Sequence, residues 1–275
     1  MTSPSFRDAE LEGWDRKAGY WDDSLGLVTQ AAIDPLMEAV EIGPGVRVLD
    51  IACGTGALAA AAARRGAEII GMDFAPTMIA EAIRRHPSID FRVGDAEAIP
   101  IADASVDAVT CSFGMLHMER PERVLGEVAR VLRPATGRFA LTSWTSDGEF
   151  FALVGQAVQA HADMGVPLPP APPLFRFGDE GECRSAMLAA GFAEPAFKRL
   201  PLTWTGERPQ AVLDTLYRST VRTPMLIEAQ TPEIRQAIEK AILRGSERYR
   251  QPAGNIVIKW PALLTTARPA RLRDS

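Results

Sequence analysis

The chain has 275 residues, of which 47% are hydrophobic, and it carries a formal charge of -5 at pH 7. This length and composition predict one α/β core with added helices, and the acidic balance disfavours a nucleic-acid substrate held through its phosphates. The three cysteines are widely spaced, which disfavours a disulfide framework and is typical of a reducing compartment.

The N-terminal segment is acidic, with Asp8, Glu10 and Glu12 close together. It lacks the basic and apolar regions of a signal peptide. No run of about 18 apolar residues occurs in the chain. We therefore expect a cytoplasmic protein without stable membrane insertion.

The segment 46–56, VRVLDIACGTG, is the most informative part of the chain. Its aliphatic first half predicts a buried parallel strand. Ala52, Gly54 and Gly56 follow, and these small residues allow the backbone to turn tightly and to approach a ligand. An alanine-rich helix is predicted next, and its first turn then faces that ligand.

A second apolar run, 69–72, ends at Asp73. A carboxylate at the tip of the second strand can accept hydrogen bonds from both hydroxyls of a ribose. Together with the glycine-rich turn, Asp73 predicts a cofactor that contains adenosine.

Two cofactors fit this pattern, and Asp50 distinguishes them. The spacing Gly54-x-Gly56-x-x-Ala59 satisfies a loose fingerprint of NAD enzymes. A carboxylate inside the turn would repel the pyrophosphate of NAD, because that site requires positive potential. S-adenosylmethionine instead carries an ammonium and a sulfonium group, which a carboxylate attracts. Asp50 therefore favours S-adenosylmethionine, with an NAD-dependent oxidoreductase as the alternative.

Strands and helices alternate through the first half of the chain, which predicts a doubly wound sheet. The predicted strands lie at about 46–51, 68–73, 89–93, 106–112 and 137–143, and the predicted helices at about 57–65, 76–86 and 121–131.

The second half departs from this alternation. A proline-rich segment, 167–173, cannot be helical and is expected to be a stiff extended crossing. Two final strands should complete the sheet as a hairpin-like pair, with two helices inserted between them as a cap, and 268–275 should be a frayed tail. The predicted elements are helices at about 148–163, 179–190, 208–222 and 232–250 and strands near 196–204 and 255–261.

Four blocks occur in the order typical of one enzyme family. The sequence resembles the class I S-adenosylmethionine-dependent methyltransferases, in particular the small-molecule enzymes of the ubiquinone/menaquinone-biosynthesis type. The blocks are Asp50-Ile-Ala-Cys-Gly-Thr-Gly56, Gly71-Met-Asp73, Gly94-Asp95-Ala96-Glu97 followed by Ile99-Pro100, and Glu127-Val-Ala-Arg-Val-Leu-Arg-Pro134.

The resemblance implies a fold and a division of the chain. The fold is α/β, a Rossmann-like doubly wound sheet of seven mostly parallel strands, with an N-terminal helical lid and a helical cap inserted before the last strand. Residues 1–275 would form a single methyltransferase domain. Within it, 1–42 would be the lid, 43–145 the cofactor-binding core, and 146–275 the substrate lid or cap with the final strands.

The resemblance also implies roles for individual residues. Asp50 is expected near the ammonium of S-adenosylmethionine, Asp73 at its ribose and Met78 against its adenosine. Asp95, with the backbone of Ala96, is expected to read the amino edge of adenine. The full set of expected cofactor contacts is Tyr20, Asp50, Ala52, Gly54, Thr55, Gly56, Asp73, Phe74, Met78, Gly94, Asp95, Ala96, Glu97, Ser112 and Phe113.

Two of these expectations carry further detail. Tyr20 lies in a segment similar to the N-terminal lid motif of the family and is expected to close over the cofactor. Ala52 departs from the family pattern, because it replaces the usual first glycine of the turn.

The methyl acceptor is expected beyond the carboxyl ends of the strands, between the N-terminal helix and the cap. Aromatic residues in those segments favour a small hydrophobic or aromatic acceptor, methylated on oxygen, carbon or nitrogen with S-adenosylhomocysteine as the second product. They are Tyr20, Trp21, Trp144, Phe150, Phe151, Phe175, Phe177, Trp204, Tyr217 and Trp260.

Methyl transfer mainly requires alignment of the acceptor and exclusion of water. His117 follows the fourth predicted strand and is the expected general base for a phenol or an alcohol. No two histidines have the spacing of metal ligands, so no metal is expected. An enzyme that binds S-adenosylmethionine but catalyses a cyclisation or isomerisation would carry the same motifs, and this alternative stays open.

Overall fold

The computed structural model describes residues 5–270. Its strands are β1 (Arg47–Ile51), β2 (Glu68–Asp73), β3 (Asp90–Val93), β4 (Ala108–Ser112), β5 (Arg138–Trp144), β6 (Ala196–Leu200), β7 (Thr203–Gly206), β8 (Ile256–Lys259) and β9 (Ala262–Ala267). Its α-helices are α1 (Phe6–Lys17), α2 (Leu25–Gln30), α3 (Ile33–Ala39), α4 (Ala57–Arg64), α5 (Pro76–Arg85), α6 (Pro121–Val131), α7 (Glu149–His161), α8 (Glu180–Ala189), α9 (Gln210–Ser219), α10 (Arg222–Glu228) and α11 (Pro232–Ser246).

The central sheet has seven strands in the order β3-β2-β1-β4-β5-β9-β6. The first five pair in parallel, and β9 runs antiparallel to both β5 and β6. The expected Rossmann-like, mostly parallel sheet is therefore confirmed. The strand order reverses between β1 and β4, and open α/β sheets bind ligands in the crevice at such a reversal, beyond the carboxyl ends of the strands.

Residues of the parallel strands alternate between two hydrophobic cores, one on each face of the sheet. In β1, Val48 packs into the core that includes residues of α3 and α4, whereas Leu49 and Ile51 pack into the core that includes residues of α6 and α8. Because both faces are covered, the strand is apolar over most of its length.

The register of the sheet brings the sequence motifs together. Asp50 lies opposite Gly71 of β2 and Thr110 of β4. The carboxyl ends of these three strands therefore meet at one edge, where Asp73 and Ser112 end β2 and β4. Residues far apart in the sequence become neighbours at this edge.

The prediction for the last strands was wrong. Residues 196–204 do not form one strand, and 255–261 does not join the central sheet. Instead β7 and β8 form a separate two-stranded antiparallel sheet, while β6 and β9 complete the large one. Pro201 and Pro261 separate the two pairs, because proline offers no N–H to a strand ladder.

Two smaller predictions also require correction. Three helices, α9 to α11, lie between β7 and β8, where two were expected. The start of the expected frayed tail is held in place, since the carbonyl of Arg268 accepts from the N–H of Ala193 at 2.8 Å and the N–H of Ala270 donates to Gly191 at 2.8 Å. Residues 271–275 of that tail lie outside the described residues.

The proline-rich segment 167–173 contains neither helix nor strand, as predicted. Within residues 5–270, no helix is both long enough and apolar enough to span a bilayer. Over the same range, no three His, Cys, Asp or Glu side chains are grouped so that they could hold a metal ion.

Candidate cofactor and acceptor site

Two buried carboxylates lie in one cavity beyond the carboxyl ends of β1 and β2, which we call the carboxylate cavity. Asp50 is 1% exposed and lines this cavity, and it accepts a hydrogen bond from Oγ1 of Thr110 at 2.7 Å. Burial raises the pKa of Asp50 to about 7, the Thr110 hydrogen bond opposes this, and the negative charge of Asp73 adds to it. A cation bound here would stabilise the ionised form of Asp50.

Asp73 is held in a fixed orientation at the end of β2. Its two carboxylate oxygens accept hydrogen bonds from the N–H of Gly54 at 2.9 Å and from the N–H of Ala75 at 3.0 Å. Burial raises the pKa of Asp73, and these backbone hydrogen bonds act against the rise. Asp73 thus joins the glycine-rich turn to the second strand while it lines the carboxylate cavity.

The turn after β1 has left-handed backbone conformations at Ala52, Gly54 and Gly56, with φ of 52°, 55° and 85°. Gly54 lines the cavity, and a Cβ added there would meet nothing within 4 Å. A Cβ on Gly56 would instead lie 2.5 Å from the ring of Phe91. Gly56 is therefore required for packing and for the turn, and it does not line the cavity.

A smaller cavity continues beyond Asp73 and is lined in part by Gly94, Asp95, Ala96 and Glu97. Asp95 already has partners. One carboxylate oxygen lies 3.0 Å from the guanidinium of Arg7 on α1, and the other accepts from the N–H of Glu97 at 2.9 Å.

Glu97 differs from its neighbours in this cavity. It is 6% exposed, and Oε1 accepts from the N–H of Arg120 at 2.9 Å while Oε2 lies 2.6 Å from Nε of the same arginine. Its carboxylate therefore fixes the start of α6, although the residue borders the cavity.

The N-terminal segment contacts the turn after β1 and the start of α5 through polar side chains. Oγ1 of Thr55 donates to Asp22 at 2.8 Å, and the N–H of Thr77, at the start of α5, donates to Asp15 at 3.2 Å. These contacts place the segment directly over the carboxylate cavity, which Trp21 also lines.

Tyr20 does not lie where the sequence placed it. Its side chain is 54% exposed, its ring lies 5.6 Å from the guanidinium carbon of Arg218, and it lines none of the cavities described here. The reason is local: α1 ends at Lys17, and the following turn directs Trp21 inward in place of Tyr20.

A second, larger cavity of about 430 Å³, which we call the aromatic cavity, adjoins the first. In it Phe150 stacks on Trp260 with ring centroids 3.8 Å apart, and Phe113 stacks on Trp144 at 4.0 Å. Six of the aromatic residues expected around the acceptor line it, namely Trp21, Trp144, Phe150, Phe151, Phe175 and Trp260. The four that do not are Tyr20, Phe177, Trp204 and Tyr217.

His117 lies at the junction of all three cavities. Its Nδ1 is 2.8 Å from Oε2 of Glu10, a carboxylate on α1 that is fully buried. No sequence motif had assigned Glu10 to the site. A signal was present, because Phe6, Glu10 and Trp14 are spaced four residues apart and so share one helix face.

Thirteen of the fifteen expected cofactor residues line the carboxylate cavity or the smaller cavity. They are Asp50, Ala52, Gly54, Thr55, Asp73, Phe74, Met78, Gly94, Asp95, Ala96, Glu97, Ser112 and Phe113.

Comparisons with known proteins agree with this geometry. A family model described as a methyltransferase domain matches residues 49–141. A demethylmenaquinone methyltransferase of Renibacterium salmoninarum is 44% identical over 99 residues, which make up 36% of this chain and 42% of that protein. The chain spans about half the length of the curated relatives it matches.

Solved structures support the fold. The structure of YcgJ from Bacillus subtilis aligns with a TM-score of 0.55 at 20% identity, and the alignment covers 88% of this chain and 99% of the YcgJ chain. The structure of the 4+2 cyclase SpnF aligns with a TM-score of 0.56 at 20% identity, and the alignment covers 98% of this chain and 99% of the SpnF chain.

The chemistry of the site fits the cofactor of this family. Two buried carboxylates, Asp50 and Asp73, line one cavity, and such a site suits a ligand with positive charge better than a pyrophosphate. Residues 49–141 match a methyltransferase domain, and the four sequence blocks and the strand order of the sheet resemble those of class I methyltransferases of the ubiquinone/menaquinone-biosynthesis type, whose cofactor is S-adenosylmethionine.

Proposed function

We propose that this protein transfers the methyl group of S-adenosylmethionine to a small hydrophobic or aromatic acceptor. The observation that carries the proposal is the junction between the carboxylate cavity and the aromatic cavity, since Trp14, Trp21, Phe113 and His117 line both. A ligand in the carboxylate cavity and a ligand in the aromatic cavity would therefore meet at these four side chains.

The carboxylate cavity and the smaller cavity would hold the cofactor, which supplies an activated methyl group when bound. Asp50 would attract its ammonium, and Asp73 would accept the ribose hydroxyls. Met78 would pack against the adenosine, and Asp95 would read the adenine amino group beside Arg7. The support for these roles is that all four predicted residues line the two cavities.

The aromatic cavity would hold the acceptor. A volume of about 430 Å³ lies within the range of small-molecule sites. Stacked rings favour a flat acceptor such as a phenol or a quinol. Some curated relatives are named demethylmenaquinone methyltransferases, and a quinol-type acceptor is consistent with this cavity.

Catalysis would depend on alignment and on the exclusion of water. The apolar walls of the aromatic cavity, Phe113 and Trp144 among them, would keep water from the reacting atoms. His117 would accept the proton of an acceptor hydroxyl, because its imidazole lies where the cavities meet. Residues 1–42 would act as a lid over the cofactor, and parts of 146–275 would enclose the acceptor.

We further propose that the enzyme acts in the cytoplasm. Cys53, Cys111 and Cys183 are free thiols, and unpaired cysteines are typical of a reducing compartment.

The deciding experiment is calorimetric titration of the purified protein with S-adenosylmethionine, S-adenosylhomocysteine and NADH. Binding of S-adenosylmethionine and S-adenosylhomocysteine, but not of NADH, supports the proposal, whereas binding of NADH alone contradicts it. A screen of phenols, quinols and amines by mass spectrometry then follows. Products that gain one methyl group support methyl transfer, whereas an isomerised or cyclised product without added mass assigns the non-methylating alternative.

A further inference from the structure

A buried carboxylate on α1 contacts the imidazole at the centre of the site. Oε2 of Glu10 lies 2.8 Å from Nδ1 of His117 and accepts a hydrogen bond from Nε1 of Trp14 at 3.1 Å. Glu10 is fully buried, and its Oε1 has no hydrogen-bond partner among residues 5–270. Burial of a carboxylate is costly unless it is hydrogen-bonded or paired, so the two contacts of Oε2 are what offset the burial of Glu10.

The donors and acceptors around Glu10 determine the form of the histidine. An indole N–H can only donate, so Oε2 of Glu10 acts as an acceptor toward Trp14. An ionised carboxylate has no proton to donate, so the same oxygen also accepts from Nδ1 of His117, which places the proton of the neutral imidazole on Nδ1. Nε2 is left with a free lone pair.

We propose that Glu10 is a positioning residue, which holds His117 as the Nδ1–H tautomer so that Nε2 can take a proton from the methyl acceptor. This inference rests on the proposed methyl transfer. Trp14 and the imidazole also pack edge to face, with ring centroids 4.8 Å apart and planes at 84°.

The proposed step balances in charge and in atoms. The acceptor hydroxyl gives its proton to Nε2 of His117, its oxygen forms the bond to the methyl carbon, and the carbon–sulfur bonding pair stays on sulfur. The imidazolium that results faces the negative charge of Glu10, 2.8 Å away. His117 later returns the proton to solvent, to which its side chain is 22% exposed.

The tautomer can be measured without any acceptor. The chain has only three histidines, His86, His117 and His161, so protein labelled with ¹⁵N-histidine gives a simple long-range ¹H–¹⁵N spectrum. The variant His117→Gln assigns the resonances. In mildly alkaline buffer, where a free imidazole is neutral, we expect His117 with protonated Nδ1 and unprotonated Nε2. A protonated Nε2 on neutral His117 overturns the proposal.

The role of Glu10 is tested with variants in the same spectrum. Glu10→Leu should abolish the preference for the Nδ1–H tautomer. The control Glu12→Leu changes a side chain that is 69% exposed on the same helix and should leave the spectrum of His117 unchanged. If Glu10→Leu folds and keeps the tautomer, Glu10 does not position His117. If it does not fold, Glu10→Met replaces it with a flexible side chain of similar length that has no carboxylate, and an unaltered tautomer preference then counts against the proposal.

A kinetic cycle gives a second readout once the screen identifies an acceptor. Glu10→Gln should lower kcat at least tenfold with little change in KM, because the charge that faces the imidazolium is lost. In a His117→Ala background the same substitution should have no further effect on kcat. An equal loss in both backgrounds would assign Glu10 a purely structural role. Failure of the protein to bind S-adenosylmethionine would contradict the proposed function and would leave the tautomer result unaffected.

Discussion

The methyl group of Ala52 occupies space that a side chain on Gly114 would need. A Cβ built on Gly114 would lie 2.5 Å from Cβ of Ala52 and 2.9 Å from Sγ of Cys111. Ala52 has a left-handed φ of 52°, which costs a residue with a Cβ roughly 1 kcal/mol. The missing side chain at Gly114 therefore permits an alanine in the turn where the family usually has glycine.

This relationship predicts a stability change in two steps. Gly114→Ala should lower the free energy of unfolding by roughly 1–3 kcal/mol, because the added methyl group overpacks the turn. In the double variant with Ala52→Gly, part of that loss should be recovered, since one of the two close contacts is gone. Urea denaturation of the two single variants and the double variant measures the interaction energy.

A matched control is Gly126→Ala in α6, where an added Cβ would meet nothing within 4 Å. It should stabilise the helix slightly. Strictly additive effects of Gly114→Ala and Ala52→Gly would show that the two sites do not interact.

The affinity for S-adenosylmethionine should depend on pH through Asp50. Burial raises the pKa of Asp50 to about 7, and a cation binds more tightly to the ionised carboxylate. Affinity should therefore fall as the pH is lowered through 7, by roughly eightfold between about pH 7.5 and pH 6. Asp50→Asn should weaken binding at least tenfold and remove most of this pH dependence. Calorimetry over this range is the measurement, and an unchanged slope in Asp50→Asn would assign the effect to another group.

Asp73→Ala should impair both binding and folding. Its carboxylate accepts from the N–H groups of Gly54 and Ala75, and loss of these bonds should cost about 1–3 kcal/mol of stability. Binding of S-adenosylmethionine should weaken at least tenfold because the ribose loses its acceptor. The control is Asp90→Ala, at an exposed position on β3. Wild-type affinity in Asp73→Ala would exclude a ribose contact.

His117→Ala should separate binding from turnover. Loss of a general base lowers the rate by roughly 10²- to 10⁴-fold, while the affinity for S-adenosylmethionine should stay within about twofold of wild type because the cation is held by other residues. His161→Ala, at an exposed position on α7, serves as the control in the same assays. Equal losses of affinity and rate would instead make His117 a cofactor-binding residue.

Gly155→Phe should block the acceptor and spare the cofactor. Gly155 lines the aromatic cavity on the same face of α7 as Phe151 and Val158, and a Cβ there would meet nothing within 4 Å. A phenyl group can therefore enter without disturbing the helix packing. Turnover of any acceptor found in the screen should fall sharply, with S-adenosylmethionine binding unchanged in calorimetry. Unaltered turnover would place the acceptor elsewhere.

Local patterns together with the family resemblance predicted the cofactor half of the molecule. Three features of this half each depend only on residues adjacent in the chain. They are the apolar run before Asp50, the small residues after it and the carboxylate that ends the second strand. Parallel strands with short connections then bring their carboxyl ends together by topology alone. The sheet through β5 therefore follows from the sequence, and thirteen of the fifteen expected cofactor contacts line the carboxylate cavity or the smaller cavity.

Only the tertiary structure determined the acceptor half. The break of the last strands at Pro201 and Pro261, the inward position of Trp21 in place of Tyr20 and the contact between Glu10 and His117 all depend on packing between distant segments. Glu10 and His117 are 107 residues apart in the chain. Their hydrogen bond forms because α1 packs against α5. The four-residue spacing of Phe6, Glu10 and Trp14 marks one helix face, but it does not show which distant residue that face meets.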